Sequence, residues 1–206
     1  YAVMDIVGTG GDEVGTFNIS TTSAFVIAAA GIPVAKHGNR SVSSKSGAAD
    51  VLEALGADLA ISLEANKKVL DETHMCFLYA PVHHSSMKNV GPVRKGLGER
   101  TMFNILGPLS NPANATMQVM GVYDRKLVEP LAHVLSNLGV TRGIVVCGAD
   151  GLDEATLTGI TYVCEIRDGE FRSYEITPEE FGMTRCKLSD LLGGTPEENA
   201  QITKDV

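Results

Sequence analysis

The sequence has little of what would place it on a nucleic acid or in a membrane. Seventeen Lys and Arg stand against 25 Asp and Glu, a net charge of -8. A chain of that sign has no bulk attraction for a phosphate polymer or an anionic lipid surface, so no nucleic-acid partner and no membrane are expected. No apolar run reaches the roughly 20 residues that span a bilayer, and no signal peptide is visible. The four cysteines, Cys76, Cys147, Cys164 and Cys186, form no close pair. Metal-knuckle spacing is missing with them, so a zinc site is not expected, and a reduced, cytoplasmic protein is the simple reading. There are no repeats and no low-complexity tracts. No Ser-His-Asp or Cys-His arrangement stands out.

What is present is a regular alternation. At 206 residues the chain suits one domain. The apolar Met4–Val7 segment predicts a strand, and polar Asn18 followed by small and apolar residues to Ala30, stopped by Gly31, predicts a helix. Strands follow at Ile32–Ala35, Leu59–Ile61, Cys76–Ala80, Gln118–Val122 and Gly143–Cys147, with helices at Ser46–Leu55, Leu63–Thr73 and Leu127–Leu138. The Pro81–Asn114 stretch is rich in Gly, Pro and Asn, with a helix possible around Val93. Thr161–Ile166 and Phe171–Ile176 flank Asp168-Gly169 and read as a hairpin. The expected fold is α/β: a mainly parallel sheet flanked by helices, with an antiparallel edge. Tyr1 lies a few residues before the first strand, and Val206 follows helical sequence from Pro196. The chain therefore reads as a fragment that lacks material at both ends.

Three clusters carry chemistry. Gly8-Thr9-Gly10-Gly11-Asp12 follows the first strand. Glycines there let backbone N–H groups face a ligand, although the spacing is neither a Rossmann fingerprint nor a P-loop. Asn18-Ile19-Ser20-Thr21 then opens a helix, whose N-terminus offers N–H groups and a positive dipole end; ordinary capping would use the same residues. Lys36-His37-Gly38-Asn39-Arg40, with Ser41, Ser43, Ser44, Lys45 and Ser46, sets cations and hydroxyls together with no acid among them. It reads as an anion receptor or as a solvated basic loop. Asp153-Glu154 follows a predicted strand through a glycine turn. At the C-terminal end of a strand in an open sheet such carboxylates sit where ligands bind, and their oxygens suit Mg²⁺ shared with phosphates.

Taken together, GTGGD at 8–12, TFNIST at 16–21, KHGNRSVSSKSGAADVLEALG at 36–56, MKNVGPVRKGLGERTMFNILGPLSNP at 87–112, QVMGVY at 118–123 and GLDEATLTG at 151–159 resemble the anthranilate phosphoribosyltransferases, in that family's order. The GGTPEENAQI stretch at 193–202 resembles the family's segment before its C-terminal region. Glu13 and Ser85-Ser86 depart from the family's pattern. The resemblance implies the large α/β domain of the fold that this family shares with nucleoside phosphorylases, filling residues 1–206 and incomplete. It implies attack of the anthranilate amine on C1 of 5-phosphoribosyl 1-pyrophosphate, with release of pyrophosphate, in tryptophan biosynthesis. Carried over, Gly8, Gly11, Asp12, Thr16, Asn18, Ile19, Ser20, Thr21, Lys36, His37, Gly38, Asn39, Arg40, Ser41, Val42, Ser43 and Ser44 would hold phosphoribosyl pyrophosphate. Ser20, Asp153 and Glu154 would serve Mg²⁺; Gly8, Asn39 and Arg94 would face anthranilate, Arg94 opposite its carboxylate. The family also implies an N-terminal helical domain, absent here, that completes the cleft and joins a homodimer. No general base is assigned. A pyrimidine nucleoside phosphorylase-like enzyme and a non-catalytic ligand-binding paralogue are the alternatives.

Overall fold

The computed structural model describes residues 2–12, 14–41, 44–84 and 102–206, without the side chain of Phe103. Its elements are β1 (Met4–Gly8), α1 (Ile19–Ala29), β2 (Val34–Gly38), α2 (Ala48–Ala54), α3 (Leu63–Thr73), β3 (Met75–Tyr79), α4 (Ala80–His83), α5 (Phe103–Leu106), β4 (Met117–Gly121), α6 (Val128–Asn137), β5 (Arg142–Gly148), β6 (Thr161–Arg167), β7 (Glu170–Ile176) and α7 (Pro196–Asp205). The sheet order is β3-β2-β1-β4-β5-β6-β7. The first five strands are parallel, and β6 and β7 continue antiparallel. The expected parallel sheet with an antiparallel edge is what forms. The β6–β7 turn falls on Asp168 (φ 52°) and Gly169 (φ 88°), the positive-φ pair that a two-residue hairpin requires.

Alternation along the strands divides the core. Ile6, Val34, Met75 and Phe77 pack with Ala24 and Ala28 of α1 and with Ala49 and Leu52 of α2. On the opposite face Val3, Ala35, Cys76 and Leu78 meet Leu70 of α3. Val7 pairs with Met120 on that same face, where Met120, Val145 and Ile166 bury against Leu131 and Leu135 of α6. Truncating a buried Leu of this kind costs about 2–5 kcal/mol.

Two expectations need correction. Leu59–Ile61 forms no strand. Leu59 is buried, but Asp58 Oδ1 takes the Ala60 N–H at 3.0 Å in a local turn, so the segment supplies a core side chain and no ladder. The second strand runs Val34–Gly38 rather than Ile32–Ala35, because it pairs with β3 all the way from Val34↔Met75 to Gly38↔Tyr79. That shift carries Lys36 and His37 out of the expected loop and into the sheet. The stretch around Val93, with Ser85-Ser86, lies outside the described residues, as does Glu13.

The far end of the chain returns to its beginning. Phe17 N–H donates to Leu191 O (3.0 Å) and Gly193 N–H to Gly15 O (3.0 Å), with Thr16 bridged to Leu192. Helix α7 then packs on α2 and is hydrogen-bonded to the start of α1. Asn199 Nδ2 donates to Asn18 Oδ1 (2.9 Å), and Thr203 and Thr22 share a hydroxyl hydrogen bond (2.8 Å). Among the described residues no helix is long and apolar enough to cross a membrane.

Candidate active site

Because β1, β2, β4 and β5 are parallel, their C-terminal ends Gly8, Gly38, Gly121 and Gly148 lie along one edge, where open α/β sheets bind ligands. The turn after β5 folds back over β1 and β4. Gly10 N–H donates to Asp153 Oδ2 at 2.6 Å, and Thr9 N–H donates to Gly121 O at 3.0 Å. Glycine is required by proximity here. A β-carbon on Gly121 would lie 1.5 Å from the Asp153 carbonyl oxygen, and one on Gly8 would lie 2.2 Å from Asp153 Oδ2. Gly10 and Gly11 hold positive φ (68° and 84°), which turns the GTGGD loop. Asp150 fastens the carboxylate turn. Its Oδ2 accepts from the Thr156 and Thr158 hydroxyls at 2.7 and 2.6 Å, and its Oδ1 accepts from Leu152 N–H at 3.1 Å.

The sequence-predicted metal residues come together. Ser20 N–H, at the start of α1, donates to Glu154, and Ser20 Oγ accepts from Lys36 Nζ at 3.2 Å. Burial pushes the Glu154 carboxyl up to about 8, assisted by the Asp153 charge, against the pull of Lys36 and the Ser20 N–H. Burial also pushes Asp153 up to about 6, assisted by Asp12 and opposed by the Gly10 N–H. Carboxyls that retain protons so far above their usual range are short of positive charge. Their hard oxygens suit a divalent cation, which would take the place of those protons. Among the described residues no three or more His, Cys, Asp or Glu side chains form a metal cage by themselves.

Lys36 is the other pole. Only 1% exposed, its ammonium donates to Ile6 O and the Ser20 hydroxyl. Burial lowers its pKa, while Asp5, Glu154 and Asp153 support the charge. Asp5, fully buried in the central strand, accepts the His37 backbone N–H at 3.1 Å, and its pKa is raised by burial. A carboxylate inside an apolar strand was the sequence signal for this residue, and the spacing of the loops did not reveal it.

His37 departs from the expected phosphate loop. Strand alternation turns its ring to the face opposite Lys36, where its Nε2 lies 3.1 Å from His84 Nε2 with the rings edge to face. Burial, then His84, pushes its pKa down to about 4. Asn18 does not cap α1. It donates to Ser46 O (3.2 Å) and accepts from Ser46 Oγ (3.2 Å) and Asn199, so it ties three segments together under the site. Thr21 is buried and Ile19 half-buried beside it. Asn39 is exposed at the end of β2, and Ser41 and Ser44 share a hydroxyl hydrogen bond (2.7 Å) in the turn beyond. Val42, Ser43 and Arg94 lie outside the described residues.

Comparison with known proteins places this arrangement. The anthranilate phosphoribosyltransferase of Ruminiclostridium cellulolyticum is 59% identical over 204 residues, 99% of this chain, which spans 60% of that protein's length. A crystal structure of anthranilate phosphoribosyltransferase from Thermus thermophilus superposes with a TM-score of 0.91 at 49% identity, over 98% of this chain and 59% of that one. The Saccharomyces cerevisiae enzyme in complex with PRPP and Mg superposes with a TM-score of 0.89 at 34% identity, over 99% of this chain and 56% of that one. The family described as glycosyl transferase family, a/b domain, matches residues 1–206. A match from the first residue to the last, on a parallel sheet whose ligand-side loops converge at one edge, makes this chain a member of that glycosyl transferase family through its a/b domain.

Proposed function

We propose that this chain is the phosphoribosyl pyrophosphate-binding α/β part of an anthranilate phosphoribosyltransferase, transferring the phosphoribosyl group to the anthranilate amine. The observation that carries the reading is the contact of Gly8–Gly10 with Asp153 across 143 residues, beside Ser20, Glu154 and Lys36. It joins N–H donors, a cation and two electron-rich carboxylates at one sheet edge. Pyrophosphate leaves C1 readily once its charge is neutralised, so the protein needs dipoles and cations more than a strong base. Mg²⁺, held by Asp153, Glu154 and Ser20, would supply that neutralisation when bound. Gly8, Gly11, Asp12, Thr16, Asn18, Ile19, Ser20, Thr21, Lys36, Gly38, Asn39, Ser41, Val42, Ser43 and Ser44 hold phosphoribosyl pyrophosphate in this reading. Lys36 acts there as a fixed charge beneath the loops. Gly8, Asn39 and Arg94 face anthranilate, whose amine is neutral at pH 7 and needs little deprotonation before attack. In the longer protein a helical domain would complete the cleft and the homodimer, and the site of action would be the cytoplasm.

The test is calorimetric titration of the chain with phosphoribosyl pyrophosphate, with and without Mg²⁺. Mg²⁺-dependent binding is expected, and the Asp153→Asn/Glu154→Gln double variant should weaken it at least about tenfold while the circular dichroism is retained. Metal dependence that survives in the double variant refutes the metal assignment. Phosphate-dependent thymidine cleavage without Mg²⁺ would point to a nucleoside phosphorylase instead.

A further inference from the structure

Arg40 stands in the middle of the basic segment, yet its guanidinium is taken up by side chains of the chain itself. Its Nε–H donates to the Tyr79 hydroxyl at 3.1 Å. Nη1 donates to Asp50 Oδ1 at 2.9 Å and to Glu53 Oε2 at 2.6 Å, and Nη2 donates to Glu53 Oε1 at 2.7 Å. Four of the five N–H groups of a guanidinium are thereby used. Two carboxylates more than cancel its charge, so the cluster offers an incoming phosphate no net attraction. Tyr79 also packs under it, with the ring centroid 5.8 Å from Cζ.

The same cluster closes the neck of the turn between β2 and α2. Asp50 Oδ2 accepts both the Ser41 N–H (3.1 Å) and the Gly47 N–H (2.8 Å), one from each side of the neck. Ala49 N–H donates to Asn39 O at 3.2 Å. The two sides touch so closely that a β-carbon on Gly47 would lie 2.3 Å from Ser41 N and 2.6 Å from the Arg40 carbonyl carbon. Arg40 and Asp50 therefore belong to one hydrogen-bonded unit, and Glu53, one turn further along α2, anchors it to the helix.

We propose that Arg40 is a positioning residue, a latch that holds the turn after β2 in its closed-neck form through Glu53 and Asp50, and not a ligand to the phosphates. An isolated exposed ion pair is worth little, but a bidentate fork shared with a second carboxylate and a tyrosine orders the side chains together. The value of the latch to the site follows from the proposed function, since the turn it closes carries Asn39, Ser41 and Ser44.

The test has one readout that needs no ligand. Amide hydrogen exchange at Ser41 and Gly47, followed by NMR in the unliganded chain, should speed up about tenfold in Arg40→Gln and in Glu53→Gln. The Arg40→Gln/Glu53→Gln double variant should exchange no faster than the faster single one, because both changes break the same unit. Unchanged exchange at both amides in both single variants overturns the latch. The second readout is Mg²⁺-dependent titration with phosphoribosyl pyrophosphate, in which both variants should lose affinity by similar factors. Wild-type affinity in Glu53→Gln beside a large loss in Arg40→Gln would make Arg40 a direct ligand and overturn the proposal. If the unsubstituted chain binds no phosphoribosyl pyrophosphate, the functional reading fails, and the exchange experiment decides the latch by itself.

Discussion

The close approach of the Asp153 turn to the sheet makes Gly121→Ala an informative single substitution. The added β-carbon would sit 1.5 Å from the Asp153 oxygen, 2.4 Å from its carbonyl carbon and 3.3 Å from its α-carbon. All three are backbone atoms, so no side-chain rotation relieves the clash. Ordinary contact begins near 3.4 Å, and the turn must retreat by about 2 Å. Overpacking of this kind costs about 1–3 kcal/mol. Losing the Gly10 N–H bond to the Asp153 carboxylate adds about 1.5–3 kcal/mol. Together these lower the melting temperature by about 5–25 °C for a chain of this size. Mg²⁺-dependent phosphoribosyl pyrophosphate binding should disappear with the fold only partly weakened. Gly8→Ala separates the two effects. Its β-carbon meets Asp153 Oδ2 at 2.2 Å and Cγ at 2.9 Å, the movable end of a side chain. It should damage binding as severely while lowering the melting temperature less than half as much. Gly159→Ala, with nothing within 4 Å, is the control. Scanning calorimetry and titration of the three variants decide the matter. A Gly121→Ala chain that melts within about 2 °C of the control and binds as well would refute the geometric argument.

Two further outcomes are expected. His37 has a folded pKa near 4 against 6.5 for the free side chain, so the unfolded chain binds more protons between those values. Stability contributed by neutral His37 is therefore complete above about pH 6.5 and is lost as pH falls toward 4, by up to about 3 kcal/mol; urea unfolding of wild type and His37→Gln across that window should show a shallower acid loss in the variant, and parallel curves would contradict the assignment. Thr195 caps α7, its hydroxyl accepting Glu198 N–H (3.3 Å) while Glu198 Oε2 accepts Thr195 N–H (2.7 Å). Thr195→Ala should cost about 1 kcal/mol, read as a melting temperature lower by about 2–4 °C, and Thr195→Ser should restore most of it.

Much of this was legible in the residues because local chemistry agreed with the final packing. Leu63–Thr73 formed a helix with the bounds its pattern set, and Asp168-Gly169 made the hairpin its dipeptide specifies. The errors arose where partners lay far away in sequence. Lys36 and His37 read as loop residues because a cation and an imidazole are poor strand signals. They are strand residues because β3 supplies the ladder, and because Ile6, Ser20, Asp5 and His84 supply their polar partners. The Asp50 and Glu53 partners of Arg40 were not legible either, because they reach it only once their helix folds back on it. Leu59–Ile61 showed that apolar residues mark burial and not a ladder. The carboxylate pair was legible by its place after a strand; that Gly121 must be glycine for it to sit there was not, since that demand exists only once the turn has folded over β4.

The strand order also says something about how the molecule comes to be. Strand β1 ends between β2 and β4, and its loop is completed by a residue 143 positions later. During synthesis at about 5–20 residues per second, roughly 7–30 s separate emergence of the GTGGD loop from that of Asp153. For most of that interval, until residues 117–121 follow, β1 lacks its β4 neighbour and presents an unpaired edge of the kind that seeds association between nascent chains. Contacts of such long range also slow folding, since the chain must close a large loop before they form. The two halves of the ligand site therefore meet late, and the glycine loop stays unfinished until the carboxylate turn arrives.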